Sequence, residues 1–329
     1  MKLLRQITLI ALVALLSGCN GHDRMGPLEL KGRIVFIGSS LLGAHPVEDH
    51  VYAIDLAGKT LAPVMITAAD QDIWRLTWDG GHNDFLYQVN DGQKIGPWYR
   101  WDAAEPAGAA SQPATWANTT QFFDEVSFSP DGRFVAGMPY MNDYHLRIVD
   151  NLGTETARNI TGQEAVTTLS APAWSPDDSK LVFVGALDGD SNYTELFFVD
   201  RDGGHLQKIT DIPNWTPWWK RLLYTERAPR RNDQHKSGAP RWSPDGKWIA
   251  FMSFGGIYRI HPDGTGLQLV IKDAIYPAWS PDGSMLCYTA VRDGDSVPNI
   301  YVSRADGSGE TRVTDDHSPM RYSHVYWVN

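Results

Sequence analysis

Short apolar runs recur along the chain, each entered through the same polar turn. Phe134-Val135-Ala136, Leu181-Val182-Phe183-Val184, Ile249-Ala250-Phe251 and Leu286-Cys287-Tyr288 are apolar without alternation, as suits strands covered on both faces. Ahead of them stand Phe128-Ser129-Pro130-Asp131-Gly132, Trp174-Ser175-Pro176-Asp177-Asp178, Trp242-Ser243-Pro244-Asp245-Gly246 and Trp279-Ser280-Pro281-Asp282-Gly283. In each, Pro presets φ, Asp bonds its own backbone and Gly supplies positive φ, so the unit is strand, tight turn, strand. Four copies of one unit predict a repeat architecture.

Weaker copies complete the series. Trp78-Asp79-Gly80-Gly81 stands where a Ser-Pro-Asp-Gly turn belongs, followed by strands over Phe85–Val89 and Trp98–Trp101 and a weak one near Ala114. Arg33–Gly38, His50–Asp55 and Leu61–Thr67 read as three strands of a unit lacking its first. Tyr322–Val328 is an orphan strand at the other end of the chain. Pairing the two would close a ring and remove exposed strand edges. The expected fold is all-β: a six-bladed β-propeller of four-stranded antiparallel blades, sealed by the C-terminal strand joining the N-terminal blade. Residues 212–238 exceed the repeat spacing and are expected to be an insertion, being short for a further blade.

The Trp-Ser-Pro-Asp-Gly repeats, with strands such as Asn299-Ile300-Tyr301-Val302 and the closing Ile209-Thr210-Asp211 and Val313-Thr314-Asp315, resemble the TolB-type β-propeller over residues 33–328. TolB carries an α/β domain before its propeller and is soluble in the periplasm. Here a tether leads straight into the first strand, so the resemblance implies a fold and does not carry over TolB's docking to the peptidoglycan-associated lipoprotein.

The N-terminus changes the expected location. Lys2 and Arg5 precede an apolar run from Ile7 to Leu16, too short to span a bilayer as a helix. Leu16-Ser17-Gly18-Cys19 resembles the lipobox of bacterial lipoproteins, which implies removal of residues 1–18 and acylation of Cys19. Residues 19–31 then form a tether and residues 32–329 the propeller, and Asn20 after the cysteine points to the periplasmic face of the outer membrane.

Charge and chemistry narrow the partners. A net charge of −10 argues against nucleic acid. Cys19 and Cys287 are the two cysteines, and Cys287, within an apolar run, reads as a small hydrophobe. Gly-x-Ser-x-Gly, His-Glu-x-x-His and phosphate-cradling loops are absent from the sequence. The expectation leans to a non-catalytic protein with no cofactor. The loops Asp188-Gly189-Asp190-Ser191 and Asp293-Gly294-Asp295-Ser296 have carboxylate spacing suited to calcium but read better as turns. His45, His50, His145, His235 and His317 read as surface residues.

Binding is expected where long loops gather on one end of the ring. Aligning first strands on the repeat aromatic, with Val325 in that place in the last strand, puts Arg75, Glu125, Arg241, Tyr276, Tyr322 and His324 around the axis, with Arg321 beside them. Such a mouth is polar and mixed in charge, and its arginines suit a carboxylate or peptide end. Trp215, Trp218 and Trp219 in the insertion suit a partner's anchor residue or a sugar. The leading expectation is an envelope protein or peptide as partner. The alternative is a carbohydrate-binding or carbohydrate-cleaving propeller, lyase-like and with or without a metal, using the same mouth and the Trp cluster.

Overall fold

In a computed structural model the described residues are 28, 30–40, 49–58, 61–90, 98–106, 111–113, 123–139, 145–151, 157–161, 166–168, 172–187, 194–210, 238–253, 255–295, 297–314 and 320–329. Their regular elements are all strands, arranged in six antiparallel sheets. Blade 1 joins β1 (Arg33–Ser40), β2 (Asp49–Asp55) and β3 (Val64–Met65) to β25 (Met320–Val328), in the order β25-β1-β2-β3. Blade 2 is β4 (Asp72–Asp79), β5 (Asp84–Asn90), β6 (Trp98–Asp102) and β7 (Gln112–Pro113). Blade 3 is β8 (Phe123–Phe128), β9 (Phe134–Pro139), β10 (Arg147–Asp150) and β11 (Arg158–Asn159).

Blade 4 has an inner strand in two pieces, β12 (Val166–Thr168) and β13 (Ala173–Trp174), both paired with β14 (Lys180–Leu187). It continues through β15 (Glu195–Asp200) and β16 (Gln207–Lys208). Blade 5 is β17 (Gly238–Trp242), β18 (Ile249–Ser253), β19 (Gly256–Ile260) and β20 (Gln268–Lys272). Blade 6 is β21 (Ala274–Trp279), β22 (Met285–Ala290), β23 (Asn299–Arg304) and β24 (Thr311–Arg312). Six blades are therefore present, as the repeat count predicts. Residues 211–237, which hold nearly all of the expected insertion, lie outside the described residues.

The inner strands close the ring. β4 lies beside β8, β8 beside β13, β13 beside β17, β17 beside β21, β21 beside β25, and β25 beside β4. The seal is the ladder pairing Arg33 with Val328, Ile34 with Trp327 and Val35 with Tyr326. It satisfies backbone groups that an open ring would leave as a free sheet edge.

Each repeat turn is built from its own side chains. Ser243 Oγ donates to Asp245 Oδ1 (2.7 Å) and accepts from the Trp248 amide (2.9 Å), while Asp245 Oδ1 also accepts from the Lys247 amide (3.1 Å). Ser129, Ser175 and Ser280 repeat the scheme with Asp131, Asp177 and Asp282. All four serines are buried, so each hydroxyl needs both bonds. Gly132, Gly246 and Gly283 adopt the positive φ that the turn requires, and Asp178 takes that conformation in blade 4.

Between blades the packing is apolar. Val182, Val184 and Phe198 of blade 4 meet Ile249, Phe251 and Ile260 of blade 5 in one cluster, and the Trp242 ring stacks on Phe198 at 5.4 Å. The repeat tryptophans add directional bonds from blade to blade. Trp174 Nε1 donates to Ser127 O (3.0 Å), Trp242 Nε1 to Ala173 O (3.2 Å) and Trp279 Nε1 to Arg241 O (3.0 Å). Each acceptor is the residue just before the aromatic of the preceding blade, so the repeat motif sets both the turn and the blade spacing.

Candidate functional site

The inner strands are not regular. β17, β21 and β25 each carry a bulge in which two residues oppose one. Ala239 and Pro240 face Phe251, Tyr276 and Pro277 face Tyr288, and His324 and Val325 face Phe36. The first residue of each bulge has a left-handed backbone, with φ of 48° at Ala239, 55° at Tyr276 and 50° at His324. Glycine is the residue that fits this kind of bulge without strain. Retaining Tyr276 and His324 there costs about 1–2 kcal/mol each. β4 has its extra residue at Trp74, and β8 bulges over Asp124 and Glu125.

These pairings set the axial register. Trp327 pairs with Ile34 as Trp242 pairs with Ile249 and Trp279 with Leu286, so Trp327 is the repeat aromatic of blade 1. Alignment by sequence alone puts Val325 there, two residues early. The ring positions of blade 1 are consequently His324, equivalent to Ala239 and Tyr276, and Tyr326, equivalent to Arg241.

Arg75, Arg241 and His324 come together at the axis. Arg241, from blade 5, holds its guanidinium 5.0 Å from the ring of Tyr326 in blade 1, reaching past blade 6. The Tyr326 hydroxyl donates to Leu76 O (3.2 Å), in the strand that also carries Arg75. Arg75 donates through Nη1 to Oε1 of the buried Gln88 (2.9 Å), and its guanidinium lies 5.0 Å from the Trp74 ring. His324 Nδ1 lies 3.2 Å from Ser323 Oγ. Burial first, then the positive charges of Arg241 and Arg75, lowers the His324 pKa to about 4. The imidazole is thus neutral at pH 7 and offers hydrogen bonding rather than charge.

At the same end of the inner strands two large apolar side chains remain in solvent, Trp74 at 40% and Ile275 at 44% exposure. The site brings two arginines and a neutral imidazole together, edged by apolar surface. It is equipped to hold an anion.

The other expected residues divide. Tyr276 occupies the bulge of β21 and is half-buried. Tyr322 is buried, with its ring edge-on to Phe36 at 5.2 Å, which places it in the core. Arg321 is exposed on β25 opposite Ser39. Glu125 lies in the β8 bulge, while its side chain, together with Trp215, Trp218, Trp219 and Cys19, lies outside the described residues. Asp295 accepts from Tyr301 Oη (2.7 Å), Arg312 Nη1 (2.9 Å) and the Arg292 amide (2.9 Å), so its carboxylate organises a turn; residues 188–191 lie outside the described residues. Among the described residues no group of three His, Cys, Asp or Glu side chains is placed to hold a metal. Sequence reasoning missed Trp74, Gln88 and Tyr326; the tryptophan at 327 was the available signal for the last.

No protein-family model matches the chain. A TolB homologue of Chlorobium luteolum is 28% identical over 162 residues, covering 41% of this chain and 36% of the relative. An uncharacterized peptidase, YuxL, of Bacillus subtilis is 24% identical over 175 residues, covering 45% of this chain and 26% of the relative. The chain thus spans about a third or less of the curated relatives it matches. The crystal structure of TolB from Acinetobacter baumannii superimposes with a TM-score of 0.64 at 18% identity, over 90% of this chain and 66% of that one.

Proposed function

We propose that this TolB-type propeller is a non-catalytic docking protein of the cell envelope, which binds a protein or peptide on the loop-bearing end of its ring. Cys19 carries the acyl anchor and residues 19–31 the tether that hold it at the periplasmic face of the outer membrane. The observation that supports docking is the coincidence at one end of the ring of Arg75, Arg241 and His324 with solvent-exposed Trp74 and Ile275. The connections β1–β2, β9–β10, β14–β15 and β22–β23 leave from that end, as does the crossing from β16 to β17, and long loops on a rigid scaffold are where recognition concentrates.

The test is affinity capture from envelope extract, comparing the intact chain with one in which a short Gly-Ser linker replaces residues 212–237 and with Trp74→Ala. A specific partner that is retained by the intact chain and lost from both variants is expected. Equal capture by all three would remove the reading. Labelling with a palmitate analogue tests the anchor, with incorporation expected in the parent and none in Cys19→Ser.

A further inference from the structure

We propose that the axial mouth is a carboxylate-binding site, in which Arg241 and Arg75 grip the ligand's carboxylate and Trp74 and Ile275 receive its apolar body. This rests on the loop-bearing end being the docking face and adds the chemistry of what is docked there. The first ground is the posture of Arg241. Its guanidinium extends from blade 5 to the Tyr326 ring in blade 1, and Tyr326 is fixed by its bond to Leu76 O beside Arg75. One guanidinium therefore lies against a tyrosine that is itself tied to the strand carrying the second, so strands of three blades meet there.

The second ground is how little neutralises Arg241. It donates from Nη1 to Pro240 O (3.1 Å) and forms no ion pair among the described residues, while its Nε is buried without a hydrogen-bond partner. With Nε enclosed, the terminal nitrogens are the ones that can meet a carboxylate entering from the mouth. The protein is otherwise acidic, with a net charge of −10, so the convergence of two arginines at the axis is a local feature rather than a reflection of composition.

The third ground is shape. A planar guanidinium meets a carboxylate through two parallel N–H bonds, and neutral His324 adds a hydrogen-bonding group without a third charge. An exposed indole and an exposed isoleucine at the rim suit an anionic end that carries a less polar body. Both a peptide C-terminus and a uronic acid present that end.

The experiment measures binding to the full-length protein by calorimetry. The probes are glycylglycylleucine, its C-terminal amide, trigalacturonate, its methyl ester and inorganic phosphate. One of the two acids is expected to bind at least tenfold more tightly than its neutral partner, and which one identifies the source of the carboxylate. Arg241→Met should weaken that acid at least tenfold and erase its advantage over the neutral probe. Arg75→Met supplies the same test if the first variant does not fold, as judged by its thermal midpoint. Equal affinity for acid and neutral forms, no binding of either acid at millimolar concentration, phosphate binding as tightly as the acids, or a folded Arg241→Met that keeps the preference would each overturn the proposal. Partner capture can fail while the acid preference survives, and the reverse, so the two readings are separable.

Discussion

The indole N–H of Trp279 donates to the backbone carbonyl of Arg241, 3.0 Å away in the neighbouring blade. A core aromatic of blade 6 thereby fixes the backbone from which an axial arginine of blade 5 projects. Trp279→Phe removes the donor and leaves that carbonyl without its partner. The expected loss is about 1–3 kcal/mol, read as a lower denaturant midpoint with an unchanged slope. Arg241 is held less firmly in the variant, so affinity for the acid probe should fall as well.

His324 gives the fold a pH dependence of known sign. Its pKa drops from 6.5 in the unfolded chain to about 4 in the folded one, so between these values the unfolded state holds more protons. The stabilisation from keeping the ring neutral is complete above pH 6.5 and is lost as pH falls from there through about 4, on the order of 3 kcal/mol in all. Urea titrations at pH 7 and pH 4.5 should show this loss in the parent and a much smaller one in His324→Gln. A parent whose stability is flat over that interval would count against a half-buried, neutral His324.

Ser243 is buried between Asp245 Oδ1 and the Trp248 amide. Its hydrogen bond is the largest cause of the fall of the Asp245 pKa to about 2. Ser243→Ala should cost about 1–3 kcal/mol through the unmet Trp248 amide and the bond lost to Asp245. Carboxyl titration by NMR should find Asp245 closer to its ordinary value. The acid limb of stability should retreat too, because a carboxyl with a depressed pKa stabilises above its unfolded value and ceases to as pH falls toward 2.

Gly81 and Gly132 bring the turns of blades 2 and 3 together. A Cβ on Gly81 would lie 2.4 Å from the Gly132 amide nitrogen and 2.5 Å from its Cα. Backbone has to move to admit it, so Gly81→Ala should destabilise by about 1–3 kcal/mol, measurable by thermal unfolding.

Cys287 is fully buried on β22, and burial pushes its thiol pKa well up. It should resist alkylation in the native protein and react in step with global unfolding. Fast labelling under native conditions would mean that blade 6 opens locally.

The local chemistry of the repeats was legible without a structure. Ser-Pro-Asp-Gly encodes its turn through bonds among residues a few positions apart, so the blades, their order and the ring could be read from spacing. The apolar runs identified the strands for the same reason, since covering both faces leaves no polar alternation. What tertiary structure decided was the register of strands whose partners are remote. β25 shares no short turn with β1, to which it is joined only through the whole ring, and the pairing of Trp327 with Ile34 therefore moved His324 by one ring position and brought in Tyr326. The bulges belong to the same class. A left-handed backbone at Ala239, Tyr276 and His324 has no local signature where glycine is absent, and it arises because two residues must face one across the sheet. Arg75 and Arg241 were placed at the axis by their equivalent repeat positions, whereas the contact of Arg241 with Tyr326 followed from the register that closure imposes.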